Sequence, residues 1–324
     1  MIQATSSYGL HTQEQVALLA EWGFTHVVNV EVSDWAAEAE RCHKEGLRLI
    51  ARWPEYHRLG LLGEADAFRN HEGACNDDGP SLWNPRAEEV SLESLDNLLE
   101  SGVDGVLLHM LTGDRAFPAD WYDRGQRRWV NDYWSFDRWA QAEWRDLGRG
   151  EMPAHPVVGD PANLDFYRWY QGAWFRRLRL FTAEVAQRGV KDIWTWFIPL
   201  LSWSVSTMAA GTAGSDKPMG EWREYVFSLG AHPVNVIACL FPLGDERSRS
   251  ETRRLIREGW EILVGLETCH SLEAGRKNKP RCEELGAGIF AGDEVFFRDH
   301  KGARRLFAEA AWTTPLAGSQ TDTA

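Results

Sequence analysis

The sequence predicts a closed barrel of eight β/α units, the (β/α)8 class. Three observations carry that prediction: eight short apolar runs along 324 residues, amphipathic stretches between nearly every successive pair, and runs that are continuously apolar. Runs such as VVNV, GVLLHM, VNVIACLF and ILVGL suit parallel strands buried on both faces, whereas a half-exposed sheet alternates apolar with polar residues. A doubly wound open sheet is the alternative. It normally has a glycine-rich phosphate turn after its first strand, and SSYGLHT is not G-x-G-x-x-G.

The elements follow in order. Strand one is read at Ile2 to Thr5, and the stretch Thr12 to Trp22 behind it puts Val16, Leu19 and Ala20 on one helical face. Thr12 with Glu14 and Gln15 marks the helix start, and Gly23 suits a left-handed helix end. Strand two at His26 to Val30 leads into helix Trp35 to Glu45, ended by Gly46, and strand three covers Leu47 to Trp53. Helix Pro85 to Ser101 starts at Asn84 with Pro in the first helical position, ends at Gly102 and precedes strand four at Gly105 to Met110. Asp160 before Pro161 marks a long helix to Arg188, followed by Gly189 and strand five at Asp192 to Phe197. Helix Glu221 to Leu229, Gly230, strand six at Val234 to Phe241, helix Ser248 to Gly259 and strand seven at Ile262 to Leu266 come next. Strand eight at Gly288 to Ala291 and helix Lys301 to Ala311 complete the set. The seventh crossover, Ser271 to Leu285, is expected to form little helix, because GRKNKP interrupts the pattern.

A barrel of this class takes about 250 residues, so the surplus falls in loops. Two insertions hold it, 54–84 after strand three and 111–160 after strand four, the second with Trp121, Trp129, Trp134, Trp139 and Trp144. Long loops in compact domains are usually functional, so the aromatic insertion is expected to cover the C-terminal mouth of the barrel. One domain is expected over 1–312 and a frayed polar tail over 313–324. The chain has 17 Trp, more than a core of this size would absorb.

Charge and cysteine content exclude several function classes. With 35 Lys+Arg against 48 Asp+Glu the net charge is −13, and no run of five basic residues offsets it locally. Nucleic acids and anionic membranes are therefore not expected as partners. The longest apolar stretches fall far short of the roughly 20 residues that span a bilayer. The N-terminal MIQATSSYGLHTQEQ has no basic or apolar leader region, so a cytoplasmic protein is expected. Five cysteines without a CxxC pair fit neither a disulfide framework nor a zinc ribbon, and reduced thiols are expected. A homo-oligomer is left open.

In this architecture chemistry sits at the C-terminal strand ends. The titratable groups that fall there are Glu31 and Asp34 after strand two, Glu55 after three, His109 and Asp114 after four, Asp245 and Glu246 after six, Glu267 after seven, and Asp293 with Glu294 after eight. Carboxylates dominate, and strand five sets Trp194, Trp196 and Phe197, then Trp203, beside them. Sugar C–H faces stack on indoles, hydroxyls bond to Asp, Glu, Asn and His, and a carboxyl pair cleaves an acetal. ILVGLET puts Glu267 at the end of an apolar strand, where a buried acid must be paired or functional; the bland alternative is a salt bridge to Arg276 or Lys277. Asp114 in TGDR is the second acid or a plain turn residue, and His109 a sugar-binding or core histidine. At most one of the adjacent Asp293 and Glu294 can face inward, and Glu294 is taken as the candidate. Trp83 and Asn84 in SLWNP are candidates for the site floor, although Asn-Pro also serves as an ordinary helix start. Trp134, Trp196 and Trp203 are candidate stacking walls, and Glu31 is a further contact. The histidines form no H-x-x-x-H or H-E-x-x-H pair, so neither metal nor cofactor is expected. A G-x-S-x-G elbow is absent, and the adjacent Cys269 and His270 diverge.

The order DGVLLHML, a short loop with an acid, FDRWAQAEWRDL, then DPANLDFYRWYQGAWFRRLRLFTAEVAQRG and a fifth strand resembles the middle of glycoside hydrolases of the large (β/α)8 clan. The nearest pattern is that of the family 42 β-galactosidases, over Ser81 to Phe197 together with VGLET. The resemblance implies an acid/base Glu after strand four and a nucleophilic Glu after strand seven, acting with retention of configuration. Glu267 matches the nucleophile position. Gly113-Asp114 stands where the clan has Asn-Glu, and an acid one methylene shorter shifts the carboxyl gap from the about 5–5.5 Å of retaining enzymes toward the about 6.5–9.5 Å of inverting ones. A glycoside hydrolase with a carbohydrate substrate is thus expected. The rival, prompted by the missing Asn-Glu, is a catalytically silent barrel that binds a glycan or scaffolds a partner. A sugar isomerase or lyase would need a metal cluster or a Schiff-base Lys at a strand end, and no Lys ends a core strand.

Overall fold

The eight apolar runs become eight parallel strands of one closed barrel. The computed structural model describes residues 2–53, 67–69, 73, 75–81, 83–108, 119–123, 128–132, 136–154, 161–197, 236–239, 246–266, 272–292 and 296–308. Along the chain lie β1 (Gln3–Ser7), β2 (His26–Asn29), β3 (Arg48–Trp53), β4 (Ala67–Arg69), β5 (Cys75–Pro80), β6 (Gly105–Leu108), β7 (Ala119–Asp123), β8 (Arg128–Asp132), β9 (Asp192–Phe197), β10 (Val236–Cys239), β11 (Glu261–Gly265) and β12 (Gly288–Gly292). The barrel order is β1-β2-β3-β6-β9-β10-β11-β12 and back to β1, while β4-β5 and β7-β8 are antiparallel hairpins inside the two insertions. The described helices are α1 (Gln13–Glu21), α2 (Trp35–Lys44), α3 (Pro85–Glu100), α4 (Arg138–Asp146), α5 (Leu164–Gln187), α6 (Glu246–Arg257), α7 (Leu272–Leu285) and α8 (His300–Phe307). The expected helix Glu221 to Leu229 lies outside the described residues.

Continuous apolar runs are explained by two cores. Ala4, Val28, Val30, Ile50, Leu107, Trp194, Leu263 and Phe290 fill the barrel. The alternate residues, among them Val27, Leu49, Trp53, Val106, Ile193 and Ile262, pack outward against the helices. Each fully buried side chain of this size contributes about 1.5–3 kcal/mol, so neither face tolerates a polar alternation. At the barrel floor His26 lies 5.2 Å from the Trp194 ring. Arg48 pairs with Asp192, and Asp104 accepts hydrogen bonds from the Leu49 amide (2.7 Å) and His43 Nε2 (2.9 Å). Burial holds the His26 imidazole below its ordinary pKa.

Helix starts follow local chemistry. Thr12 Oγ1 accepts from the Gln15 amide at 3.2 Å while Gln15 Oε1 accepts from the Thr12 amide at 2.8 Å, a reciprocal cap. Gly23 ends α1 at φ +83°, a conformation that suits glycine. Asn84 Oδ1 accepts from the Arg86 amide at 3.0 Å, with Pro85 in the first helical position. Pro161 opens a 3-10 turn to Asn163 instead of the helix itself, and Asp160 lies outside the described residues.

The seventh crossover corrects the expectation of little helix: α7 runs through GRKNKP with Pro280 inside it. Packing outweighs propensity there. Leu272, Cys282 and Leu285 are buried, the Asn278 side-chain amide donates to the Leu266 carbonyl at 3.4 Å, and Lys279 Nζ donates to the Leu306 carbonyl at 2.6 Å. Cys42 and Cys282 are free and fully buried, and burial pushes both thiols up to about 12. Among the described residues no helix is long and apolar enough to cross a membrane.

Candidate active site

Side chains along a strand alternate, so the interior cluster fixes which later positions face the barrel axis. Trp194, Leu263 and Phe290 form an apolar plug. Toward the C-terminal ends the interior phase continues at Gly265, in register with Phe290. It continues also at Gly292, in register with Ser6. Among the described residues, β11, β12 and β1 thus end on Gly265, Gly292 and Ser6 in the interior phase. Across from them β3 brings Arg52, in register with the interior Leu107. Its Nε is buried and has no hydrogen-bond partner. The next residue, Trp53, turns outward, where its indole donates to the Ser91 carbonyl (3.0 Å) and Ser94 Oγ (3.1 Å) on α3.

The lip after β1 is a rigid turn. Gly9, at φ +83°, donates to the Glu31 carbonyl (2.7 Å) and its own carbonyl accepts from Asn29 Nδ2 (2.8 Å). Behind it Glu38, fully buried, takes the His11 amide (3.1 Å), His11 Nδ1 and Asn29 Nδ2 (3.3 Å), with Arg41 3.8 Å away. This lock holds Tyr8 at the lip, 62% exposed.

A second cluster joins the two insertions to the start of α5. Trp83 stacks on Trp169 at 4.9 Å and 21°, and Trp144 meets Trp169 edge-on at 5.2 Å. Phe166 and Phe136 extend the cluster. Asp137 caps α4 by accepting the Trp139 and Ala140 amides at 3.0 Å each, and burial pushes its carboxyl above the usual range. Glu143 accepts from the Trp169 indole (3.0 Å) and Arg176 (2.8 Å). Beside it a cleft of about 430 Å³ is lined by residues including Phe136, Trp144, Arg145 and Glu151. These aromatic residues are packing as much as surface.

No known protein family matches the sequence, and no curated protein matches it either. Solved structures do. The catalytic domain of β-amylase from Paenibacillus polymyxa superposes with a TM-score of 0.62 at 10% identity, covering 91% of this chain and 92% of that one. The glycoside hydrolase domain of PelA from Pseudomonas aeruginosa gives a TM-score of 0.47 at 14% identity, over 90% of this chain and 95% of that one, too loose to add to it. The first likeness shows that nearly the whole chain shares the fold of that domain.

Of the residues singled out by sequence, Glu267, Asp114, His109, Trp134, Trp203 and Glu294 lie outside the described residues. Trp196 lies in β9. Trp83 and Asn84 sit in the rim cluster, Trp83 8% exposed and Asn84 1%, with the Asn84 side-chain nitrogen buried and lacking a hydrogen-bond partner. Glu31 follows the interior Val30, has the exterior phase and is exposed. Three residues were missed. Arg52 had the same signal as Glu267, a charge near the end of an apolar strand, in RLIARW. Asp137 in SFDRW had the Asp of a helix start. Glu38 had none, because a helical Glu reads as solvated.

Proposed function

We propose that this chain is a glycoside hydrolase acting at the C-terminal mouth of its barrel, with Glu267 as nucleophile or base and Asp114 as general acid. The observation that carries the reading is the phase of β11. Leu263 belongs to the interior cluster and Gly265 shares its phase, and the same alternation carried two residues past the strand would give Glu267 that phase, which supports the reading. The same arithmetic favours His109, two beyond Leu107, and Trp196, two beyond Trp194, as sugar contacts, and Glu294, two beyond Gly292. The small interior-phase residues Gly265, Gly292 and Ser6 on β11, β12 and β1 support the reading of this end as the place for a sugar ring.

The chemistry follows from the acids. Asp114 protonates the glycosidic oxygen as the bond to the anomeric carbon breaks, and Glu267 either attacks that carbon or takes a proton from the water that does. The reading requires of Asp114 a dry aromatic surrounding that would keep it protonated near neutral pH. The pattern likeness to family 42 β-galactosidases and the fold shared with a β-amylase catalytic domain support a carbohydrate substrate. Glu267→Gln is expected to abolish turnover across a panel of glycosides, with unchanged melting temperature and glycan affinity. Hydrolysis at the wild-type rate in that variant refutes the assignment, and glycan binding without turnover in the wild type points to the silent barrel.

A further inference from the structure

Strand β3 puts two arginines on one face, and the protein treats them differently. Arg48, Ile50 and Arg52 share the interior phase, since Ile50 lies in the barrel core and alternate residues follow it. At the floor Arg48 is matched by Asp192 and lies 3.9 Å from Asp104. At the mouth, four residues on, Arg52 makes no ion pair or hydrogen bond among the described residues, and its Nε is buried without a partner. Withdrawing part of a guanidinium from water without a counter-charge is unfavourable, and an arginine so placed is half-buried in wait for an acceptor.

We propose that the sugar bound at this mouth carries a carboxylate, as a uronosyl unit does, and that Arg52 receives it. This rests on the reading of the mouth as a glycan site. The planar guanidinium fork matches a carboxylate with two parallel hydrogen bonds. A singly charged carboxylate fits better than a doubly charged phosphate ester, because the net charge of −13 opposes dense anions. Arg52 lies on β3, across the barrel from the strand that leads to Glu267, so the carboxylate would anchor one edge of the ring while the anomeric carbon faces the acids.

The test compares the affinity of the full chain for methyl glucuronide and methyl galacturonide with that for methyl glucoside and methyl galactoside, followed by calorimetry. The wild type is expected to favour the uronosides about tenfold or more, as for a charge-assisted hydrogen-bonded pair. Arg52→Gln is expected to bring that ratio close to one, and Arg52→Lys to keep part of it. Equal affinity for charged and neutral glycosides in the wild type overturns the proposal without need of any variant. So does an unchanged ratio in a folded Arg52→Gln, or an equal loss on both ligand types, which would mean that the cation serves the protein's own acids. Turnover assays on the wild type and Glu267→Gln separate the two readings. A uronoside preference in a wild type that hydrolyses no glycoside sustains the role of Arg52 and rejects the hydrolase, whereas hydrolysis that Glu267→Gln abolishes, in a wild type with equal affinity for charged and neutral glycosides, sustains the hydrolase and rejects the role of Arg52.

Discussion

Asp137 is asked to do two things that conflict. Its Oδ1 completes the first turn of α4, which a charged oxygen does well, yet the residue is 1% exposed and its Oδ2 has no hydrogen-bond partner. Burial wins over the amides and the Ser81 hydroxyl, so the carboxyl titrates above its unfolded value of 3.8. An acid raised on folding holds its proton more tightly in the native state. Its contribution therefore opposes stability above the folded pKa, and the opposition fades as pH falls through that value toward the unfolded one. Asp137→Asn keeps the accepting oxygen and removes the charge, so it is expected to be at least as stable as the wild type at pH 7 and to lose this pH dependence. Asp137→Ala also removes the cap and is expected to cost about 1–2 kcal/mol. Urea unfolding at pH 7 and pH 4 checks both. An Asn variant as weak as the Ala variant would mean that the charge itself is needed.

Between one residue and the next element, the sequence was legible where the chemistry is local. Thr12 with Gln15, Asn84 with Pro85 and Gly23 are helix ends written in adjacent letters, and each occupies the place expected of it. Strand β1 was read two residues short at its C-terminal end because Ser6 and Ser7 are polar; pairing with β12 and β2 carries the ladder through them. Helix α7 was illegible because its support comes from elsewhere in the chain, through Leu266 and Leu306. Lys279 in that helix reaches a carbonyl of α8 at 2.6 Å, with burial holding its ammonium below the ordinary range. Lys279→Met leaves that carbonyl unpaired and is expected to lower stability by about 1–2 kcal/mol. Thermal melts at pH 7 decide it, and an unchanged midpoint would show the contact to be dispensable.

At the scale of the molecule the fold class was legible because a strand buried on both faces must be apolar throughout, and eight such runs allow few arrangements. What no run reveals is closure. The seam joins β1 to β12, where Ala4 faces Phe290 in register and Thr5 Oγ1 donates to the Ala291 carbonyl at 3.1 Å across 286 residues of chain. The abundance of tryptophan misled in part, since Trp22, Trp53, Trp83, Trp144, Trp169 and Trp194 are buried wedges of the two cores and the rim. The mouth is legible in the sequence only as a set of candidate acids, since the shared interior phase of Gly265, Gly292 and Arg52 counts for nothing until register aligns them. Closure carries the last prediction. Removing residues 1–7 deletes β1, leaves β2 and β12 as open edges and uncovers Val28 and Phe290, each worth about 1.5–3 kcal/mol buried. Two ladders and that apolar surface are a large share of the roughly 5–15 kcal/mol that holds a domain folded. The shortened chain is expected to lose its cooperative melt and near-ultraviolet dichroism, and to bind a hydrophobic dye that the full chain does not. A sharp transition within about 5 °C of the full chain's would instead mean that seven strands close without the first.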